Sequence, residues 1–344
     1  MNIIKFNTTN FFLFSLILAS VLPLVVLLIT YKFPLTFGSI GIFPFLILLG
    51  STHVFGTSYL FFDRDVRNFF IQNPFKMILV PLLLFSITVY LISNTDGDFF
   101  IYGALGYLIY QTWHFGAQNI GVLSFISIST RKKSISVNEK RFLKICAIIG
   151  MIGVSKIRET DLGISSKYIN ISGEFQNYID LFYEFGMILF LLSLFFIMYH
   201  VFQMIKKQHY FYALGFFICS TFLFTMYVSK DLMIGYGAFA AAHGLQYLVF
   251  LFFHSFNNVK KNHITFKSFY PIIALICILF VAKFLWENGS SLDEKFDDFA
   301  LLGMSIILGI TVVHFWIDQY IWQMKNPDRR KWLKKRFDFI LTKN

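Results

Sequence analysis

Blocks of apolar residues recur along this chain of 344 residues, and they constrain its fold more than any other feature. Each block has about 20 residues, the length at which a helix crosses the hydrocarbon core of a bilayer. Most blocks lack the two-residue alternation of barrel strands and are too long for them, so helices are predicted. We count about ten spans, at residues 10–31, 38–62, 75–93, 99–127, 142–157, 178–204, 210–229, 231–255, 268–286 and 298–322.

The composition agrees with a membrane protein. Hydrophobic residues make up 56% of the chain and charged residues only 14%, which leaves too little polar surface to cover a soluble domain of this size. We therefore predict an all-α, polytopic transmembrane bundle over residues 1–324. The longest connections are too short to fold as separate domains.

The net charge of +11 has an uneven distribution along the chain. With the N-terminus in the cytoplasm and ten alternating helices, most Lys and Arg residues fall on the cytoplasmic side, as the positive-inside rule requires. Both termini are then cytoplasmic. Because topology already explains the basic excess, nucleic acid is not an expected partner. In the absence of a transit-peptide pattern, we expect a bacterial inner membrane. The oligomeric state is left open.

Residues 325–344 form a basic tail. Asn326 can cap a helix that has Pro327 at its first position. One face of this helix would be apolar and surrounded by lysines and arginines, which suits a cytoplasmic helix lying on the anionic inner leaflet. A plain stop-transfer tail is the alternative. The apolar face consists of Leu333, Phe337, Ile340 and Leu341.

Four of the eight histidines lie well inside predicted spans, away from the span ends. They are on spans two, four, eight and ten, which all run from outside to inside, and at 1.5 Å per residue their depths agree within about 10 Å. Ionisable groups are costly in lipid, so a shared interior site is expected. These histidines are His53, His114, His243 and His314. The others are expected to be ordinary: His200 and His254 at the headgroups, and His209 and His263 in basic loops.

Polar side chains accompany these histidines at helical spacing. An i, i+3 or i+4 separation places two side chains on one helix face. The companions are Thr57 for His53; Gln111, Gln118 and Asn119 for His114; Gln246 and Tyr247 for His243; and Thr311 and Asp318 for His314. Small residues that permit close helix approach or leave room for a ligand are Gly56, Gly116, Gly121 and Gly244.

Neutral imidazole is the commonest side-chain ligand for iron, copper and zinc. Asp318 and Gln118 could accept the second N–H of a ligating ring and orient it. Thiolates are missing from the set, since the scattered cysteines Cys146, Cys219 and Cys277 show no metal spacing. The pattern favours Fe(II), with copper or zinc as lesser options. The histidine cluster also has interpretations that involve no metal, namely hydrogen bonding between helices, proton relay and binding of a polar cargo.

The four segments resemble, in order, the histidine motifs of the Brp/Blh family of membrane β-carotene dioxygenases. The matching stretches are "THVFGTSY" with His53, "WHFGAQN" with His114, "HGLQY" with His243 and "HFWIDQYIW" with His314. The resemblance implies a shared helix bundle, a histidine-bound iron and cleavage of a carotenoid by O₂. It covers only these segments. Tyr247 stands where the family has a second histidine, and this removes one implied ligand.

Three functions are compatible with the sequence. The first is a membrane iron oxygenase for a lipid-dissolved, carotenoid-like or polyene-like substrate, with Tyr247, Asp318 and Gln118 as catalytic-site residues. Aromatic residues would line its substrate slot. The second is a transporter that holds cargo in the same cluster, although the usual inverted repeat and broken helices are not recognisable. The third is a non-enzymatic membrane protein. The slot residues are Trp113, Tyr247, Phe250 and Trp316.

Overall fold

The computed structural model describes residues 8–32, 53–54, 56–94, 97–157, 173–229, 231–259, 298–322, 324 and 326–341. Regular structure in these ranges is entirely helical, which confirms the predicted all-α class. Its α-helices are α1 Thr8–Lys32, α2 Arg64–Gln72, α3 Val80–Ser93, α4 Gly97–Arg131, α5 Val137–Val154, α6 Gly173–Lys206, α7 Tyr210–Thr221, α8 Thr225–Val228, α9 Leu232–Val259, α10 Asp298–Ile321, α11 Pro327–Arg336 and α12 Asp338–Leu341. A 3-10 helix covers Thr57–Phe62, and a π-helical turn, Phe75–Leu79, leads into α3.

Four helical segments within the described residues are long and apolar enough to cross a membrane, and they point to membrane association. They are Thr8–Val26, Phe75–Ser93, Gln176–Lys206 and Ile234–His254. Along Gln176–Lys206, large apolar side chains such as Leu181 and Phe195 are exposed, as a lipid-facing helix requires. Ten passes and cytoplasmic termini remain predictions. The predicted span 268–286, with Cys277, lies outside the described residues, as does His263.

The predicted span 210–229 is interrupted. Helix α7 ends at Thr221, a turn covers 222–224, and α8 begins at Thr225. The Thr225 hydroxyl donates to the Gly235 carbonyl oxygen at 3.0 Å, and the turn residues are buried. Hydropathy does not reveal this break, because the segment is apolar and buried on both sides of it.

The chain divides into two compact units. The first comprises residues 1–50, 97–249 and 339–344, and the second comprises 51–96 and 250–338. In the first unit, α4 packs on α5 and α7, and α6 packs on α5 and α7. Phe115, Ala147, Leu223 and Phe239 belong to its hydrophobic core.

Gly116 is the point of close approach between α4 and α5. A Cβ placed there would overlap the Cβ of Ala147 and lie 3.2 Å from its Cα. We expect Gly116→Ala to lower the free energy of unfolding by about 1–3 kcal/mol, the usual cost of overpacking. Gly121→Ala on the same helix is the control, because nothing lies within 4 Å of its Cβ position. Helix propensity predicts a gain of about 0.5–1 kcal/mol for Gly121→Ala. Thermal unfolding in detergent measures both, and equal stability of the two variants would contradict the packing role.

In the second unit, α3 packs along α10. Gly309 of α10 faces Phe85, since a Cβ at this glycine would lie 2.8 Å from that ring. The Ser93 hydroxyl donates to Ser305 Oγ at 3.1 Å. The contact positions α10, the helix that carries His314 and Asp318.

The C-terminal helix α11 begins as predicted. The Asn326 side chain accepts hydrogen bonds from the backbone N–H groups of Asp328 and Arg329. The expected lipid-facing side of the tail, however, packs on protein: Leu333 is buried, and the Phe337 ring lies 5.9 Å from that of Phe250. Binding to the anionic leaflet therefore stays a prediction that rests on the exposed basic side chains alone. These are Arg330, Lys331, Lys334 and Lys335.

Candidate metal site

His114 and His243 form an imidazole pair in the first unit. Their ring centroids are 5.0 Å apart and the rings meet edge to face. His243 is fully buried, and the Phe115 ring lies 4.2 Å from its ring. Long helices, α4 and α9, carry the two histidines, so a rigid backbone holds each ring.

An amide network holds α4 and α9 together beside this pair. Gln118 Nε2 donates to the His243 carbonyl oxygen at 3.2 Å and to Gln246 Oε1 at 2.9 Å. Gln246 Nε2 donates to Ser20 Oγ of α1 at 2.8 Å and to Asn119 Oδ1 at 3.3 Å. Gln118 was expected to orient a ligand ring. Its observed bonds instead reach the main chain of His243, so it positions the helix that carries the ring.

His53 and His314 form a second imidazole pair, in the second unit. Their ring centroids are 4.7 Å apart, again edge to face, and both side chains are buried. Thr57 Oγ1 lies 3.2 Å from the His53 carbonyl oxygen and 2.8 Å from His314 Nδ1. Thr57 therefore contacts His53, as its spacing predicts, and it also contacts His314.

Asp318 lies one turn after His314 on α10, as the spacing predicts. Its Oδ2 atom is 3.5 Å from His314 Nε2, and its side chain is 5% exposed. A carboxylate this deeply buried is costly without a positive partner. Asp318 was expected to orient a neighbouring ring, whereas in the structure its carboxylate lies against Nε2 of His314 itself.

The donor set of these residues fits a metal ion. Within the second unit, two buried imidazoles, His53 and His314, and the Asp318 carboxylate lie close together and could contribute ligands to a metal ion. Imidazole with a carboxylate is a nitrogen and oxygen set that iron, copper(II) and zinc all accept. The predicted single centre of four imidazoles draws on both units and stays a prediction.

The aromatic slot predicted around the site has other roles at two of its positions. Trp113 packs against the hydrophobic core of the first unit. Trp316 donates its indole N–H to the Lys76 carbonyl oxygen at 2.7 Å, and its ring lies 5.4 Å from that of Tyr320. Tyr247 is buried at 2% exposure, where a tyrosine hydroxyl requires a partner.

A polar cluster around Asp63 was not predicted from the sequence. His254 was expected at the headgroups, but it is buried and its Nε2 lies 3.1 Å from Asp63 Oδ2. The same oxygen accepts from Trp332 Nε1 at 3.2 Å and pairs with the Arg336 guanidinium at 2.6 Å. Burial alone would raise the pKa of Asp63. The hydrogen bonds and positive charge from these donors have the larger effect, so the pKa lies below its ordinary value of 3.8. The only feature of Asp63 that can be predicted from its local sequence, "FFDRDVRN", is its function as a helix N-cap. The structure contains this cap, because Asp63 accepts from the Asp65 N–H at 2.8 Å.

A second missed cluster surrounds Glu139. Its Oε1 atom accepts from Tyr212 at 2.6 Å, His200 at 3.2 Å and Arg131 at 3.4 Å. Burial raises the pKa of Glu139, and the bonds from His200, Tyr212 and Ser136 more than offset this, so the pKa lies well below its ordinary 4.5. The Ser136-x-x-Glu139 spacing is a sequence signal for the capping box that the structure contains. His200 therefore hydrogen-bonds to Glu139, and its expected position at the headgroups stays a prediction.

Comparisons with known proteins gave no further assignment. The chain matches no protein-family model, no curated protein and no solved structure.

Proposed function

We propose that this protein is an integral-membrane, histidine-ligated iron oxygenase that acts on a lipid-dissolved, carotenoid-like or polyene-like substrate. The proposed ligands of Fe(II) are His53, His114, His243 and His314. The observation that carries the proposal is the pairing of imidazoles: in each unit, two histidines from distant parts of the chain bring their rings within 5.0 Å of each other.

The two ring pairs support a metal site. Neutral imidazole nitrogens are common ligands of iron, copper and zinc, and rings brought together from distant parts of the chain can share one ion. The ion would act as a Lewis acid and as a template for O₂ and the substrate double bond.

The chain's own residues have supporting roles in this proposal. Gln118 and Gln246 hold α4 against α9 and so fix the separation of His114 and His243. Asp318 places negative charge at the site, which offsets part of the charge of a dication. The buried rings of Phe115 and Phe315 lie beside His243 and His314 and would keep water from the metal, and a lipid-dissolved substrate would enter from the bilayer.

Metal analysis of the purified protein tests the proposal. We expect stoichiometric iron after anaerobic addition of Fe(II) to detergent-solubilised protein. His114→Ala and His53→Ala should each reduce bound iron at least tenfold. His209→Ala is the matched control, because His209 lies between α6 and α7 and belongs to neither imidazole pair, and this variant should retain full iron.

The outcome also separates the alternatives. A well-folded protein that takes up no iron, copper or zinc would refute the proposal and favour the transporter or structural reading. Expression in a β-carotene-producing bacterium tests the substrate class, since cleavage removes the colour. Lasting colour with an iron-loaded protein would reject carotene but not the metal site.

A further inference from the structure

The inference concerns the contacts of His314, and it rests on the proposed function. His314 lies between two oxygen-bearing side chains of its own unit. Nδ1 is 2.8 Å from Thr57 Oγ1, and Nε2 is 3.5 Å from Asp318 Oδ2. All three side chains are buried. Each ring nitrogen of His314 therefore has an oxygen atom beside it. The tautomer of the ring determines at which of the two nitrogens the ring can donate a hydrogen bond.

Thr57 Oγ1 is a neighbour of Nδ1 that is compatible with a metal on Nε2. A threonine hydroxyl has one hydrogen and two acceptor lone pairs. Its hydrogen can go to the His53 carbonyl oxygen at 3.2 Å, the usual bond of a helical threonine to the residue four positions earlier, or to His314 Nδ1 at 2.8 Å. In the first arrangement the ring donates to Thr57, so Nδ1 carries the hydrogen and Nε2 carries the lone pair that a metal requires.

With this tautomer, two acceptors face each other. The Nε2 lone pair and the Asp318 carboxylate both present negative potential across a gap of 3.5 Å. A cation bound to both atoms makes such a buried pair favourable. Ligand distances of about 2.0–2.2 Å to both atoms place nitrogen and oxygen roughly 3.0–3.5 Å apart for octahedral to tetrahedral angles. The observed distance of 3.5 Å between Nε2 and Oδ2 therefore matches the distance between two ligand atoms of the same metal ion.

We propose that Asp318 is a direct metal ligand together with His314 Nε2, and that Thr57 is the positioning residue that presents Nε2 to the metal. Asp318 thereby supplies the carboxylate that non-haem iron sites commonly combine with histidine. Thr57 acts on the opposite edge of the ring, the position from which an outer partner normally sets the orientation of a ligating histidine.

Co(II) is the probe, because its visible absorption reports the number and kind of its ligands. The experiment titrates Co(II) into the full chain in detergent and records affinity and spectrum. We expect Asp318→Asn to weaken binding at least a hundredfold and to change the band shape. Thr57→Val, which keeps the shape and loses the hydroxyl, should weaken binding 10–100-fold. Thr57→Ser should restore binding to within a few-fold of the parent protein.

Ser305→Ala is the matched control. It removes a hydroxyl hydrogen bond from α10, at the contact with Ser93, and should leave Co(II) binding unchanged. Thermal unfolding of the metal-free variants checks that each is folded. Thr57→Val replaces only the hydroxyl and Thr57→Ser removes only the methyl group, so the difference between them reports the contribution of the hydroxyl to Co(II) binding even if both lose some stability.

Two failures are distinguishable. If the parent protein binds Co(II) or Fe(II) and the Asp318 and Thr57 variants bind equally well with the same spectrum, the inference is overturned and the proposed function survives. The contact would then be an ordinary hydrogen bond from Nε2–H to Asp318. If the parent protein binds neither ion, the proposed function falls, and the inference falls with it.

Discussion

Asp63→Ala is expected to lower the free energy of unfolding by about 3–5 kcal/mol, the cost of removing one partner from a buried ion pair. Asp63 Oδ2 faces His254, Trp332 and Arg336, and the Asp63 side chain is 1% exposed. Its loss leaves a largely buried guanidinium without its closest carboxylate and an indole N–H without its acceptor. The N-cap of α2 is lost as well.

Matched variants separate these contributions. Asp63→Asn keeps a good N-cap and removes the charge, so it should recover only about 1 kcal/mol of the loss. Asp65→Ala is the surface control: its carboxylate is 41% exposed and pairs with an exposed Lys335, so a change of less than about 1 kcal/mol is expected. Thermal and denaturant unfolding in the same detergent compare them. Similar stability of Asp63→Ala and Asp65→Ala would show that the buried cluster contributes nothing special.

Glu139→Ala is expected to have a comparable effect in the first unit, again about 3–5 kcal/mol. Its carboxylate accepts from Arg131, His200 and Tyr212 on three other helices, α4, α6 and α7, and also closes the capping box of α5. Arg131 is 5% exposed and stacks over Tyr212, with 3.3 Å from its guanidinium carbon to the ring centroid. Glu139→Ala therefore leaves the buried Arg131 guanidinium without this carboxylate and also removes the side-chain cap at the start of α5.

The pH profile distinguishes the charge of Glu139 from its shape. Because the pKa of Glu139 is lower in the folded chain than its ordinary 4.5, its contribution is complete above that pH and declines as acid protonates it. Thermal stability of the parent protein should fall on acidification below about pH 4.5. Glu139→Gln should be less stable at neutral pH and show a shallower decline, since Asp63 still titrates. Lys140→Ala, at the adjacent exposed position, should reproduce the parent profile, and a Glu139→Gln profile parallel to that of the parent would contradict the role of the charge.

Local patterns in the sequence predicted features whose cause is local. Apolar length predicted helices, and the four-residue spacing of His314 and Asp318 predicted a shared face, which the 3.5 Å contact confirms. The Asn326-Pro327 start of the last long helix was also correct. In each case the geometry of one helix decides the outcome, so neighbouring residues contain the necessary information.

The breaks and partners required the tertiary structure. The turn at 222–224 has no hydropathy signal, and the apolar side of the tail packs on protein because Phe250 and Trp322 lie beside it. Asp63 and His254 are 191 residues apart in sequence. The residues around Asp63 in the sequence do not predict a contact with His254, and those around His254 do not predict one with Asp63. A buried ionisable residue near a helix end therefore cannot be distinguished from a solvated one by sequence alone.

The amino-acid sequence by itself determined a helical, strongly apolar chain and singled out the histidines that carry polar companions at helical spacing. Helical geometry and the cost of polar groups in lipid depend only on residue order, so they could be reasoned from it. The tertiary structure alone decided which rings pair, that Thr57 reaches His314, and that Asp63 and Glu139 each collect donors from several helices. Those contacts join residues far apart along the chain, and the packing that brings them together is a property of the whole fold.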